Sequence, residues 1–212
     1  MSKEPSEPGI KSHGAAHGEE VGLERLIFFS DAVFSIAMTL LALELRLPHD
    51  IAYLVNEELT RALLGLWKQY LAFMTSFVVI GAFWLAHHRK FRYIRRYDRG
   101  LLSLNLLLLM SVAFIPFPTA VLSDYGNRTA TIFYALSMSV TGLLTAAIWW
   151  HATRDHRLVD ADLSPRVIRR ERWRALGLAG VFIVSIGIAF LNADLAKFSW
   201  LPLLVVLYIV SR

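Results

Sequence analysis

The segment Arg25 to Leu47, RLIFFSDAVFSIAMTLLALELRL, constrains this chain more than any other stretch. It is long enough to cross a bilayer, yet it carries a carboxylate at Asp31. Only twelve uncharged residues separate Asp31 from Glu44, whereas a transmembrane helix needs about twenty. A helix that spans here must therefore take Asp31 into the membrane, where an ionisable side chain marks a functional site by default.

The rest of the chain agrees with a membrane location. Of 212 residues, 56% are hydrophobic and 18% charged, more apolar surface than a soluble domain of this size can cover. Cysteine is absent, which excludes disulfides, thiolate metal sites and cysteine nucleophiles. The net charge is +5, but the basic residues lie between apolar spans rather than on one soluble face, so nucleic acid is not an expected partner. Residues 1–22 contain charges, glycine, proline and two histidines but no apolar run. They read as a disordered cytosolic tail, not a signal peptide.

Six apolar stretches are expected to be spans, about 24–47, 69–88, 100–122, 129–151, 173–192 and 197–212. Backbone groups in lipid have no water to bond, so each is expected to be a helix. The expected fold class is thus an all-α integral membrane protein whose six-helix transmembrane domain covers residues 23–212. Between the first two spans, Ile51, Leu54, Val55, Leu59, Ala62, Leu63 and Leu66 recur at helical spacing. That pattern predicts a short amphipathic helix at about 50–67, lying at the outer interface.

Lys and Arg set the orientation. Arg89, Lys90, Arg92, Arg95, Arg96 and Arg99 fill the second connection, and Arg154, Arg157, Arg166, Arg169, Arg170, Arg172 and Arg174 the fourth. Both connections are expected to be cytoplasmic, with both chain termini inside. Trp67, Trp149, Trp150, Trp173 and Trp200 fall at span ends, where indole rings settle at headgroup level. Gly177, Gly180, Val184 and Gly187 share one face of the fifth span, a pattern that lets another helix approach closely.

Counted along the helix axes, Asp31 lies about 9 Å beyond Arg25, Trp84 about 7.5 Å inside Arg89 and Asn105 about 9 Å beyond Arg99. Three polar side chains on three antiparallel helices therefore share one depth, with His87 a turn away from Trp84 and Ser30 beside Asp31. Indole, imidazole and amide groups can all satisfy a carboxylate, which is costly to bury unpaired. The arrangement favours a polar clamp between helices over a proton relay or ion site, since a pore ion site would need the carboxylate to face the pore. On the helical wheel Phe29, Ala32, Ile36, Thr39 and Leu43 form a separate stripe, and Asp31 points about 140° away from Ile36. Periodicity alone leaves that stripe facing lipid, a neighbouring helix or a pore.

The motif Arg25, Phe29-Ser30-Asp31 and the following AVFSIAMTLLALEL resembles the opening of the first helix of the endosomal and lysosomal potassium channels and their bacterial relatives, which lack a TVGYG filter. The resemblance continues at Phe83-Trp84, His87-His88, Asn105-Leu106-Leu107 and Pro116-Phe117-Pro118-Thr119. It is carried by motifs over three helices and by hydropathy over the rest. It implies a homotetramer in which the first helix of each six-helix subunit lines a central pore. It further implies that Ile36 forms the narrowest apolar ring, Thr39 a layer offering hydrated potassium brief oxygen contacts, and Leu43 a second apolar ring. Arg25, Ser30, Asp31, Trp84, His87 and Asn105 would fix that helix, with His88 an alternative to His87.

The expected function is a potassium-permeable cation channel of the bacterial plasma membrane. No cofactor, resident metal or catalysis is expected, and potassium is the permeant ion. The main alternative is a proton-coupled transporter or proton-permeable channel using Asp31 and His87. Against a transporter, the first helix lacks the Gly or Pro break common at such sites. An intramembrane enzyme would have only His87, His88 and Asp31, which show no nucleophile-base-orienter spacing. A non-conducting membrane subunit would differ from a channel in showing no unitary currents.

Overall fold

The computed structural model describes residues 10–47 and 56–200. Its helices are α1 (Ile10–Leu40), continued by a 3-10 turn (Leu41–Glu44), α2 (Asn56–Gly65), α3 (Trp67–Phe91), α4 (Arg99–Phe114), α5 (Pro116–Tyr125), α6 (Arg128–Thr153), α7 (Pro165–Leu191) and α8 (Ala193–Phe198). The only β contact among the described residues is an isolated antiparallel bridge between Ile94 and Val159.

Five helical stretches are long and apolar enough to cross a membrane: Val21–Glu44, Trp67–Phe91, Arg99–Tyr125, Arg128–His156 and Pro165–Leu191. They correspond to the first five expected spans. The sixth, 197–212, falls beyond Trp200 for most of its length and so lies outside the described residues. α1 begins at Ile10, within the stretch expected as a tail. The amphipathic helix is present as α2 over the described part of that stretch, with no buried residue; Ile51, Leu54 and Val55 are outside the described residues.

Local chemistry sets most of the ends. Asp98 accepts from Leu101 N at 2.7 Å to start α4, and Asn127 accepts from Ala130 N at 3.0 Å to start α6. α7 starts at Ser164-Pro165, eight residues before the expected Trp173. Hydropathy marks where the apolar slab begins, whereas an N-cap followed by proline marks where the helix begins. The third span is bent because Pro116 has no N–H to continue the ladder. Ile115 N bonds Val112 O at 3.1 Å, a tightened turn, and α5 resumes from Pro116. α5 ends at Gly126, whose φ of 57° is the left-handed conformation glycine adopts without strain.

α1 packs on α3 and α4, α3 on α5, and α6 on α7 in the most extensive pairing. That last contact depends on Gly142: a Cβ there would come within 2.8 Å of Ala179 Cα. Among the described residues nothing packs closely on the glycine face of α7: a Cβ at Gly177, Gly180 or Gly187 would meet nothing within 4 Å, and the close approach seen on this helix is that of α6 onto Ala179. Two expected interfacial tryptophans are also core residues. Trp149 is fully buried and donates to Ile168 O at 3.0 Å, and Trp200 packs on Tyr134 and Phe182. Trp67, Trp150 and Trp173 are exposed, as belt residues should be.

The two arginine-rich connections meet at one end of the bundle. Arg95 N donates to Leu158 O at 2.8 Å, and Asp98 contacts both His151 and Arg157. Beside them Glu171 is fully buried, with Arg174 at 2.7 Å, Arg89 at 3.8 Å and Arg170 at 3.9 Å. This carboxylate joins the start of α7 to the end of α3.

Candidate functional site: the polar clamp and outer stripe of the first helix

The structure joins Ser30, Asp31, Trp84, His87 and Asn105 in two adjacent branches. In one, Trp84 Nε1 donates to Asp31 Oδ1 at 2.8 Å. In the other, Ser30 Oγ donates to Leu26 O at 2.8 Å and accepts from Asn105 Nδ2 at 2.9 Å, while Asn105 Oδ1 lies 2.9 Å from His87 Nε2. Asn105 thus meets Ser30 rather than Asp31.

The second branch fixes its own protons. Ser30 has one hydroxyl hydrogen, which goes to Leu26 O, so it must accept from the amide. The amide oxygen then faces the imidazole, and His87 must carry its hydrogen on Nε2. Its Nδ1 is buried without a partner, which suits the neutral ring: an imidazolium would strand a second N–H. Ser30 and Asn105 are fully buried and His87 nearly so. The imidazole ring stacks on Phe91 at 4.1 Å and touches Phe34 at 5.6 Å.

This geometry separates the two histidines. His87 is inside the network, whereas His88 is exposed and lies beside the Trp84 ring at 5.7 Å. Arg25 is not brought into it. Six residues before Asp31, it sits about 9 Å along the axis and about 120° around the helix, and it is exposed.

α1 has two faces. Leu23, Ser30, Phe34, Ala37 and Leu41 are buried against the protomer, at the spacing of one helical face. Phe29, Ala32, Ile36, Thr39 and Leu43 are all exposed, Ile36 by 57% and Leu43 by 64%. Thr39 Oγ1 donates to Ile36 O at 2.8 Å, which leaves the hydroxyl lone pairs outward.

A second buried polar layer was not singled out from the sequence. Ser76 Oγ lies 3.0 Å from Tyr134 OH and 2.8 Å from Thr119 Oγ1, tying α3, α5 and α6 together. Hydroxyls in helices so often bond their own preceding turn that they give little sequence signal. The signal for Glu171 was stronger, as the one acidic residue between Arg166 and Arg174.

Five apolar helices locked by buried polar side chains define a multi-pass, all-helical membrane protein. By sequence, residues 25–116 match the family described as the endosomal/lysosomal potassium channel TMEM175. A potassium channel of Streptomyces collinus is 41% identical over 177 residues, covering 81% of this chain and 84% of that one. The chain belongs to the TMEM175 family. The crystal structure of a lysosomal potassium-selective channel TMEM175 homolog from Chamaesiphon minutus superposes with a TM-score of 0.78 at 32% identity, covering 91% of this chain and 99% of that one. The endosomal/lysosomal proton channel TMEM175 of Gallus gallus is 28% identical over 191 residues, covering 85% of this chain and 38% of that protein.

Proposed function

We propose that this chain is a potassium-permeable cation channel of the bacterial plasma membrane, formed by four copies whose first helices line a central pore. The observation that carries the reading is the division of α1. One face is clamped into the protomer by Ser30 and Asp31, and the other exposes an unbroken stripe that includes Ile36 and Leu43. Brought together about a four-fold axis, those stripes make a narrow apolar passage with one hydroxyl layer. Rings of Ile36 and Leu43 gate by dewetting, and Thr39 offers oxygens to a hydrated potassium ion in transit. The names of the Streptomyces and Chamaesiphon relatives support potassium as the permeant ion. Hydrophobic rings cannot coordinate a bare ion, so preference over sodium is modest and comes from dehydration, pore width and the Thr39 layer. The arginine-rich end faces the cytoplasm.

Reversal potentials in opposed potassium and sodium gradients test this on reconstituted protein. Ile36→Asn should wet the constriction, raise conductance and bring the reversal potential closer to zero. Unchanged currents would remove Ile36 from the pore.

Proton permeation is the second reading, favoured by the name of the Gallus gallus relative and by the carboxylate of Asp31 within α1. It predicts proton flux into liposomes under conditions where no potassium current is measured.

A further inference from the structure

At the end of the bundle away from the arginine-rich connections, the start of α3, the end of α5 and α8 border a partly open cavity of about 610 Å³. That volume is in the range of sites that hold a drug-sized ligand, mostly apolar with a few placed polar groups. Leu71, Ala72, Leu122 and Phe198 make the apolar wall. Among the described residues two polar atoms of the lining are buried without a partner, Trp200 Nε1 and Ser123 Oγ. Trp200 is only 2% exposed, and an indole N–H can be satisfied only by an acceptor.

The rim is charged with both signs. Lys197 is already engaged, 2.8 Å from Asp194 Oδ1 and 2.7 Å from Gly126 O. Lys68 and Asp124 also line the cavity, and among the described residues neither is in an ion pair. Exposed Trp67 and Tyr125 stand beside them at the ends of two spans, the level at which aromatic rings meet headgroups.

We propose that this cavity binds one zwitterionic phospholipid of the adjoining leaflet. The acyl chain lies against Leu71, Ala72, Leu122 and Phe198, and an ester or phosphate oxygen accepts from Trp200 Nε1. The phosphate faces Lys68. The ammonium faces Asp124, with the aromatic ring of Tyr125 available to it, while the Trp67 ring carries the Lys68 ammonium at 5.9 Å. Asp194 is balanced by Lys197, so an anionic lipid without the amine would leave the Asp124 carboxylate as the uncompensated charge beside its phosphate. The site is independent of whether the protein conducts.

Native mass spectrometry of the full-length protein tests the proposal by titration with phosphatidylethanolamine and phosphatidylglycerol of identical acyl chains. Wild type should retain one phosphatidylethanolamine per chain with a preference of about fivefold, the scale of one exposed ion pair. Asp124→Asn should bring that preference close to unity. Ala72→Phe, which fills the cavity, should abolish the adduct while far-UV circular dichroism stays that of a folded helical protein. If that variant misfolds, the Asp124→Asn ratio decides alone. Soluble phosphoethanolamine at equal concentration should not displace the lipid. Equal retention of the two lipids by wild type, an unchanged ratio in Asp124→Asn, or displacement by the soluble headgroup would each overturn the proposal.

Discussion

The Ser30-Asn105-His87 branch makes a quantitative prediction about coupling. Asn105→Leu strands the Nε2–H of a fully enclosed imidazole whose Nδ1 already lacks a partner. Such a buried orphan costs about 1–3 kcal/mol. Ser30 suffers less, because its hydroxyl keeps the bond to Leu26 O. His87→Phe keeps the ring packing on Phe91 and Phe34 but leaves Asn105 Oδ1 unpaired, at a cost of similar size. In the double variant both polar partners are replaced by apolar groups of comparable shape, so the orphan penalties vanish together. What remains is one lost bond to Ser30, about 0.6 kcal/mol on the scale of interhelical bonds in membranes. The double variant should therefore be more stable than either single one, with a coupling of at least about 1 kcal/mol. Unfolding in mixed micelles by increasing dodecyl sulfate, followed by far-UV circular dichroism, measures all four corners of the cycle. Additivity to within about 0.5 kcal/mol would refute the proton assignment made for this branch.

Other substitutions separate neighbouring features. Gly142→Ala should destabilise the bundle by about 1–3 kcal/mol through overpacking against Ala179, whereas Gly177→Ala, which meets nothing, should be neutral or stabilise by up to about 1 kcal/mol from helix propensity; thermal unfolding of the two compares them directly. Burial raises the pKa of the Asp98 carboxyl, but the Leu101 N–H, His151 and Arg157 outweigh that and hold it below its ordinary value. A depressed carboxyl adds stability at neutral pH, and that stability is lost as pH falls below about 4 toward its folded pKa. Asp98→Asn keeps a capping side chain, so it should flatten the acid limb of the stability profile and leave the helix start intact; an unchanged acid limb would count against the assignment. Asp31→Ala strands the Trp84 N–H and frees α1 to turn, so size-exclusion chromatography should show loss of the assembled form before single-channel selectivity changes. A stable assembly with altered selectivity would place Asp31 in the pore.

Hydropathy revealed five of the spans because membrane length is a property of composition alone. Axial counting brought Asp31 and Trp84 to one depth because rise per residue is fixed in a helix. Neither argument carries azimuth between helices, and the differences lie there. Trp149 and Trp200 stand at span ends like the belt residues Trp67 and Trp173, yet they turn inward, Trp149 onto Ile168 O and Trp200 onto Tyr134. The glycines of α7 share a face, but that face points away from α6, and the close approach uses the single Gly142. Arg25 lies near the network in sequence and on a different side of the helix in space. The Ser76, Thr119 and Tyr134 layer escaped because each hydroxyl taken singly has a local alternative, and only the packed bundle shows the three together.

Azimuth is also the reason a carboxylate is kept in α1. In lipid there is little hydrophobic preference for one apolar helix face over another, since acyl chains are as apolar as leucine. A helix with Phe29, Ile36 and Leu43 on one side and Phe34, Ala37 and Leu41 on the other could turn about its axis at small cost. Ser30 and Asp31 remove that freedom. Turning α1 by one residue, about 100°, would carry the carboxylate away from Trp84 Nε1 and the hydroxyl away from Asn105 Nδ2 at once, leaving buried donors unpaired in a medium that offers no replacement. The cost of placing Asp31 at this depth is thus offset by a single rotational setting of the helix. With that setting fixed, Ile36, Thr39 and Leu43 must face outward from the protomer, where neighbouring copies can meet them.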